Sequence, residues 1–329
     1  MLFDYENLVF SGGGVHGIAY LGALEYFYKM NLISSIKRVA GTSAGAITAC
    51  LTCFNLPFQE LSDALSSLDY RQIPAKDDLP ESSRDFPAAI KEQVNKIFDN
   101  ADCVLRLINK YGWYSSSYFY EWIKEQIALQ FDATKKAPPY TFADFQNNSI
   151  HKNQRPFKDL YVIGTNLSKC KSIVFSFDTT PNLEVAQAVR ISMSVPLLFE
   201  SITCSCENLP DEPPYVYIDG GMLYNYPINL FDTISPIDKT IGFYFKCTPK
   251  HSTIKNLVEF ISATLSCTGG VQQELFISNP ENIKRSICIQ TSDIPSLNFN
   301  ISTGDNTFNF LYEQGYRATE LYFSLLKNN

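Results

Sequence analysis

The sequence predicts an α/β protein in which a mainly parallel central sheet is flanked by helices. Two patterns lead to this prediction: short apolar runs alternate with glycine turns and helical stretches near the start of the chain, and strand-like runs return in its second half. The third observation is composition. With 329 residues, 45% hydrophobic and 19% charged, the chain has enough apolar surface for a large buried core.

The first four predicted elements form a repeated strand, turn and helix. Asn7–Phe10 is predicted as a strand and Gly17–Asn31 as a helix, and Lys37–Ala40 and Ala44–Asn55 repeat the pair. Each change from strand to helix falls on a glycine-containing turn, as in proteins whose helices cover a parallel sheet. This order favours parallel pairing of the two strands, because each helix serves as a crossover connection.

The middle of the chain differs from both ends. From about Ser62 to Tyr140, helix formers and aromatic residues dominate. We therefore predict a single domain over residues 1–329, with a core of residues 7–60 and 158–329 and a helical insertion of approximately residues 62–140. The later predicted elements are the strands Leu160–Gly164, Ser172–Phe177, Tyr215–Ile218 and Thr240–Phe245 and a final helix, Phe308–Leu326.

Charge and cysteine usage exclude several classes of function. The formal net charge is −7 and basic runs never exceed Lys-Lys or Lys-Arg, so we expect no nucleic-acid partner. Nine scattered cysteines, an odd number, indicate a reducing compartment and packed thiols rather than a disulfide framework. The pairs Cys50/Cys53 and Cys204/Cys206 lack the further ligands that a zinc site needs, so no metal is predicted.

The chain start and the apolar runs predict where the protein acts. Met1–Leu8 contains Asp4 and Glu6 but no basic segment, so no secretory signal peptide is predicted. No apolar run is long enough to span a bilayer. We expect a cytoplasmic protein that is peripheral at membranes, acting in a host cytoplasm if it is viral or an exported effector.

A run of glycines follows the first predicted strand and opens the first helix. Ser11–Gly17 has the sequence SGGGVHG, and such a turn can direct several amide hydrogens at one anion near a helix N-terminus. The spacing also fits a dinucleotide-binding loop, which requires an acidic residue roughly 20 positions further on. No Asp or Glu occurs between Glu25 and Glu60, which counts against NAD, although Arg38 suits an NADP phosphate.

A GxSxG motif follows the second predicted strand. It consists of Gly41, Thr42, Ser43, Ala44 and Gly45 and precedes an alanine-rich helix, which is the context in which this motif presents a nucleophile. The two glycines permit a sharp turn and leave the serine hydroxyl unshielded. Ser43 is therefore the candidate nucleophile, and a serine hydroxyl needs a base within hydrogen-bond reach.

The residues alone leave two candidates for this base. Among the three histidines, only His251 follows a plausible acid in the chain order of a Ser, Asp, His triad, whereas His16 lies in the glycine turn and His151 in a polar loop. Asp219 is the other candidate, because it ends a predicted strand and precedes two glycines at a sheet edge where α/β sites gather. Its alternative role is that of a turn or helix-cap aspartate.

Together these motifs resemble those of the patatin-like phospholipase family over nearly the whole chain. GGGVHG is similar to the family's GGGxRG or GGGxKG turn, GTSAG to its GxSxG, and DGG to its DGG or DGA, in the same order. Ala186–Phe199 is similar to the family's Ala-x-x-Ser-x-x-x-Pro-x-x-Phe segment. Asp219–Pro227 resembles the DGG-x-x-x-N-x-P run.

The resemblance implies a patatin-like three-layer fold and a lipid acyl hydrolase of the phospholipase A or lysophospholipase type. It implies that Ser43 forms an acyl-enzyme, that Asp219 is the general base, and that amides of the Gly12, Gly13, Gly14 turn hold the oxyanion. Supporting roles are implied for five further glycines, namely Gly17, Gly41, Gly45, Gly220 and Gly221. No cofactor is implied, and the partner is a lipid ester, with a protein activator as a common requirement of intracellular toxins with these motifs.

Two segments are candidates for binding the lipid. By resemblance, Met193–Phe199 lines the acyl pocket. The aromatic stretch Tyr111–Trp122 in the predicted insertion suits either core packing or an interfacial lid.

His16 departs from the family pattern, because it occupies the position of the usual Arg or Lys. A histidine titrates near neutral pH, so we expect His16 to tune activity, which would fall as pH rises past roughly 6.5. Two other functions stay open: a triad esterase that uses His251, and a non-catalytic nucleotide- or protein-binding module.

Overall fold

An eight-stranded β-sheet lies at the centre of the part of the chain that the structure describes. The structure is a computed structural model and describes residues 3–74, 101–207, 213–246, 254 and 257–328. The strands in these ranges are β1 (Asn7–Phe10), β2 (Arg38–Thr42), β3 (Gly112–Tyr114), β4 (Asp159–Asn166), β5 (Lys171–Phe175), β6 (Leu197–Phe199), β7 (Ile202–Cys204), β8 (Tyr215–Asp219), β9 (Thr240–Lys246) and β10 (Ser286–Gln290). β3 and β6 form a separate pair.

Five neighbouring strands of the central sheet run parallel, in the order β10-β9-β1-β2-β4. Antiparallel strands complete one side, where β4 pairs with both β5 and β8, and β8 pairs with β7. All four residues of β1 are buried, as expected for a parallel strand covered on both faces. The predicted α/β fold with a mainly parallel sheet is confirmed.

Helices flank this sheet. They are α1 (Ile18–Lys29), α2 (Ala44–Cys53), α3 (Phe58–Ser66), α4 (Ala101–Lys110), α5 (Ser117–Ala128), α6 (Phe142–Phe145), α7 (Val185–Ser192), α8 (Leu257–Ile277), α9 (Pro280–Lys284) and α10 (Asn306–Asn328). α1 and α10 pack closely. A Cβ at Gly22 would overlap the carbonyl oxygen of Tyr312, and one at Gly315 would overlap that of Ala19. Only glycine at these two positions allows the two backbones to approach so closely.

The sequence predicted most of the sheet but missed elements late in the chain. β1 has the predicted bounds, and β2, β4, β5, β8, β9 and α10 differ from their predictions by a few residues. β10 and α8 were not predicted. The division into a core and a helical insertion stays a prediction, because residues 75–100 lie outside the described ranges. Phe119 and Trp122 are buried, which favours core packing over a lid for those two aromatic residues.

The cysteines agree only in part with the expectation of packed thiols. Cys50 and Cys53 are buried free thiols on α2, as expected. Cys204, the last residue of β7, and Cys206 form a disulfide with their Cα atoms 5.3 Å apart. The expectation of free thiols is therefore wrong for this pair. In the described ranges, no group of three or more His, Cys, Asp or Glu residues is placed to hold a metal ion.

In the described ranges, no helix is long and apolar enough to cross a membrane.

Candidate active site

Ser43 occupies a sharp turn between β2 and α2. Its backbone has φ of +53° and ψ of −123°, a conformation that non-glycine residues rarely adopt and that costs roughly 1–3 kcal/mol. The flanking glycines make this turn feasible, since a Cβ at Gly41 would overlap the carbonyl oxygen of Gly45 and one at Gly45 would overlap that of Phe10. The GxSxG motif thus forms the predicted strand-to-helix turn.

Ser192, the last residue of α7, holds the backbone of this turn. The amide of Ser43 donates to Ser192 Oγ at 2.8 Å, and Ser192 Oγ donates to the carbonyl oxygen of Ile163 at 2.5 Å. Ser192 is fully buried. Ser192 was not among the predicted site residues, although it lies at the serine of the Ala-x-x-Ser segment.

Asp219 lies beside Ser43 because of the register of the sheet. Thr42 pairs with Ile163 on β4, and the next residue of β4, Gly164, pairs with Asp219. Ser43 Oγ donates to Asp219 Oδ2 at 2.6 Å, and the amide of Gly221 donates to Asp219 Oδ1 at 2.6 Å. The structure therefore brings the predicted nucleophile and the predicted base into direct contact.

The environment of Asp219 raises its basicity. The residue is only 5% exposed, and burial raises the pKa of its carboxyl group to about 7, although the hydrogen bonds from Ser43 and Gly221 oppose the shift. A carboxyl group with this pKa can both accept and donate a proton near neutral pH.

The glycine turn approaches Ser43 from the end of β1. A Cβ at Gly12 would lie 3.2 Å from Ser43 Cβ. The amide of Gly12 donates to the carbonyl oxygen of Asn225 at 3.0 Å, so it is already engaged. The amides of Gly13 and Gly14 have no hydrogen-bond acceptor within the described ranges. Of the three glycines predicted to hold an oxyanion, Gly13 and Gly14 thus have amides open to a further acceptor, and the oxyanion role of the turn stays a prediction.

A cavity of about 220 Å³ opens above these groups. Its floor contains Gly12–Gly14, Ser43 and Asp219. Its walls are mainly apolar and include Leu65, Leu68, Ile73, Val195, Phe199, Leu297 and Phe299. An apolar chain attached to a polar group at the floor suits this lining.

His16 lies in the glycine turn, as predicted, but it is not placed to act as a cation. The residue is 4% exposed, and Nε2 of its ring donates to the carbonyl oxygen of Ile294 at 2.7 Å. Burial lowers the pKa of His16 below the usual 6.5, and the hydrogen bond to Ile294 only partly opposes this effect. Burial thus disfavours the charged form of the ring, and the expected effect of His16 on activity stays a prediction.

The other two histidines do not complete a triad in the described ranges. His151, predicted in a polar loop, is buried: Nδ1 lies 2.8 Å from the carbonyl oxygen of Arg155 and Nε2 lies 2.9 Å from that of Asp144. It therefore has a structural role remote from Ser43. His251 lies outside the described residues, so the triad alternative stays an untested prediction.

Arg38 is badly placed for the dinucleotide alternative. It begins β2 and pairs with Asn7, the first residue of β1, and its Nη1 donates to Asn7 Oδ1 at 3.1 Å. The glycine turn follows the opposite end of β1. Arg38 therefore lies at the wrong edge of the sheet to bind a phosphate held by that turn.

Comparison with known proteins relates this geometry to a family. The family model described as patatin-like phospholipase matches residues 8–232. The protein YqhO of Bacillus subtilis (strain 168) is 27% identical over 329 residues, which cover 97% of this chain and 98% of that protein. The probable lipid hydrolase 463L of Invertebrate iridescent virus 6 is 26% identical over 227 residues, which cover 69% of this chain and 63% of that protein.

A solved structure shows the same fold. VipD from Legionella pneumophila superposes with a TM-score of 0.61 at 19% sequence identity, over 98% of this chain and 67% of that chain. This likeness confirms the predicted three-layer architecture. Because the matched family model covers more than half of the residues, including both Ser43 and Asp219, the chain belongs to the patatin-like phospholipase family.

Proposed function

We propose that this protein is a lipid acyl hydrolase that cleaves carboxylic esters of membrane lipids through an acyl-enzyme on Ser43. The observation that carries the proposal is the 2.6 Å hydrogen bond from Ser43 Oγ to Asp219 Oδ2 at the floor of an apolar cavity. Membership of the patatin-like phospholipase family and the similarity to a probable lipid hydrolase support a lipid as the substrate.

The first half-reaction acylates the serine. Ser43 Oγ attacks the ester carbonyl carbon while its proton passes to Asp219 Oδ2. The carbonyl oxygen becomes an oxyanion, which receives hydrogen bonds from the amides of Gly13 and Gly14, each worth roughly 3 kcal/mol in comparable sites. The intermediate then collapses, and the leaving alcohol takes the proton from Asp219.

The second half-reaction releases the fatty acid. A water molecule gives a proton to Asp219 and attacks the acyl carbon, and the same two amides hold the second oxyanion. When this intermediate collapses, the bond to Ser43 Oγ breaks and Ser43 regains the proton. No other group is needed as an acid or base, because the pKa of Asp219, raised to about 7 by burial, suits both directions of transfer.

The proposal extends to the class of lipid and to the setting. We assign a phospholipase A or lysophospholipase type of cleavage, since the cavity offers apolar walls for an acyl chain above Ser43 and Asp219. The substrate is held in a membrane, so the protein works in peripheral contact with one, in its own cytoplasm or that of a host. A protein activator is a further proposed partner.

The test combines labelling with product analysis. A fluorophosphonate probe should label the parent but not Ser43→Ala, and phospholipids with position-labelled chains should release a fatty acid only with the parent. Ser34→Ala serves as a matched control, because Ser34 is an exposed serine whose Oγ donates only to the carbonyl oxygen of Asn31. Hydrolysis that survives in Ser43→Ala would contradict the proposal.

The same assay separates the dyad from the triad. His251→Ala should keep nearly full activity if Asp219 acts directly. A triad predicts a loss of several powers of ten for the same variant.

A further inference from the structure

Helix α8 supplies a side chain that none of the steps above uses. Both ends of the Gln272 amide group are engaged by the turn that follows Asp219. Its Nε2 donates to the carbonyl oxygens of Gly221 at 2.9 Å and Met222 at 3.2 Å, and its Oε1 accepts from the amide of Asn225 at 2.7 Å. One side chain thus closes the segment of residues 221–225, which we call the base loop.

The base loop contacts the catalytic groups at both of its ends. At its start, the amide of Gly221 donates to Asp219 Oδ1 at 2.6 Å. At its end, the carbonyl oxygen of Asn225 accepts from the amide of Gly12 at 3.0 Å, and Asn225 Nδ2 donates to the carbonyl oxygen of Gly12 at 3.4 Å. The loop therefore connects the base to the glycine turn.

A second side chain holds the base loop, but at a different point. Thr42 Oγ1 donates to the carbonyl oxygen of Tyr224 at 3.0 Å. This bond reaches neither Gly221 nor Asn225. In the described ranges, Gln272 is the side chain that binds both ends of the loop.

We propose that Gln272 is a positioning residue that holds the base loop so that Asp219 and the glycine turn stay aligned with Ser43. The inference rests on the proposed function, because it assigns Gln272 to the same site. Gln272 does not line the cavity, whereas Ser266 and Gly269 of the same helix do. It therefore acts through Gly221 and Asn225 rather than on the substrate, and it ties one wall of the cavity to the floor.

The test variant is Gln272→Met, which keeps the length of the side chain but removes all three hydrogen bonds. A loosened base loop weakens the bond from the Gly221 amide to Asp219, and this bond favours the ionised carboxylate. The pKa of Asp219 should therefore rise by roughly half to one pH unit. Misalignment of the base should lower kcat by roughly 10-fold to 100-fold, with KM changed less than about threefold.

Two further variants make the result specific. Gln273→Met is the matched control, because Gln273 is the next residue of α8, is half-buried and makes no hydrogen bond to the base loop. Gln272→Glu keeps the acceptor for Asn225 but places a carboxylate against two carbonyl oxygens. Gln272→Glu should raise the pKa of Asp219 at least as much as Gln272→Met does. If Gln272→Met does not fold, Gln272→Glu serves as the test variant.

The experiment measures the Asp219 carboxyl titration by carbon-13 NMR, assigned with Asp219→Asn, together with kcat and KM for a phospholipid. An upward shift in Gln272→Met and Gln272→Glu but not in Gln273→Met supports the inference. Folded Gln272 variants with the parent's Asp219 titration and kcat would overturn it. If the parent hydrolyses no ester, the proposed function fails, and the NMR titration still decides whether Gln272 positions the base.

Discussion

The floor and the walls of the cavity are built in different ways. The floor groups lie on turns at strand ends. Ser192 and Asn225 accept hydrogen bonds from the amides of Ser43 and Gly12, and the amide of Gly221 donates to Asp219, so these bonds hold the floor in place. The walls come from segments that are distant in sequence and present apolar side chains to the cavity. Chemistry therefore depends on placement within fractions of an ångström, whereas the choice of substrate depends on volume. Changes to the floor should have large effects on kcat, and changes to the walls should have smaller effects on chain preference.

Among changes to the floor, Asp219→Asn should cause the largest loss of activity. An amide cannot take the proton from Ser43, so kcat should fall by roughly 10³-fold to 10⁴-fold. The fold should persist, because the amide keeps the size of the side chain. Hydrolysis of a phospholipid with labelled chains measures the effect, and Asp238→Asn, at an exposed site, is the control. Turnover above a tenth of the parent's would show that another group is the base.

The same variant should be more stable than the parent at high pH. In the folded chain, burial raises the pKa of Asp219 from 3.8 to about 7, so folding becomes less favourable as pH rises through this range. At pH 8 the ionised carboxylate costs on the order of 4 kcal/mol, a penalty that Asn lacks. The gain in unfolding free energy should be present at pH 8 and small at pH 4, as denaturant unfolding can measure.

The pH profile of the parent gives the next largest effect. Only the ionised form of Asp219 can accept the serine proton, and its pKa is raised to about 7. We therefore expect kcat/KM to rise with pH, level off above about 8 and lie roughly 100-fold lower at pH 5. His16→Gln should leave the midpoint of this rise nearly unchanged, because burial lowers the pKa of His16 below its usual 6.5 and a neutral side chain adds no charge near Asp219. A profile that falls between pH 6 and 8 would contradict this assignment.

The floor was predictable because short, continuous sequence motifs specify its turns. The GxSxG turn needs glycines on both sides of Ser43, since side chains there would overlap the backbone. Five consecutive residues are therefore enough to identify it. The glycines after Asp219 identify a second turn in the same way. The fold class followed from alternating strands and helices, and the mainly parallel sheet of the structure confirms it.

The rest of the site was not predictable because it depends on distant contacts. Gly269 and Gly270 interrupt the helical signal of α8, each at a cost of about 1 kcal/mol, so neither the helix nor Gln272 was identified. The pKa of His16 is lowered by burial, and its ring donates to the carbonyl oxygen of Ile294, which lies 278 residues away in sequence. Sequence patterns place a residue on an element, but they do not show which distant group it meets.

Ser192→Ala tests how strongly the floor depends on the support of the Ser43 backbone. The variant leaves the amide of Ser43 without its acceptor and removes the donor to Ile163, so the turn should relax. We expect kcat to fall about 10-fold and the free energy of unfolding to fall by about 1–3 kcal/mol. Ser194→Ala is the matched control. Ser194 lies just after α7, and its Oγ donates to the carbonyl oxygen of Arg190 in α7 rather than to the Ser43 turn. Equal kcat values for the two variants would show that Ser192 has only a structural role.

Val195→Phe tests the walls and should have the smallest effect on catalysis. Val195 lines the cavity and is 8% exposed, so a larger side chain there reduces the space for an acyl chain. The ratio of kcat/KM for a short chain over a long chain should rise by about 3-fold to 10-fold, while fluorophosphonate labelling of Ser43 stays at the parent's rate. Leu167→Phe, at a site 49% exposed, controls for the added ring. An unchanged ratio would show that the acyl chain does not bind against Val195. A fall in labelling would show that a change in the walls also alters the reactivity of Ser43 on the floor.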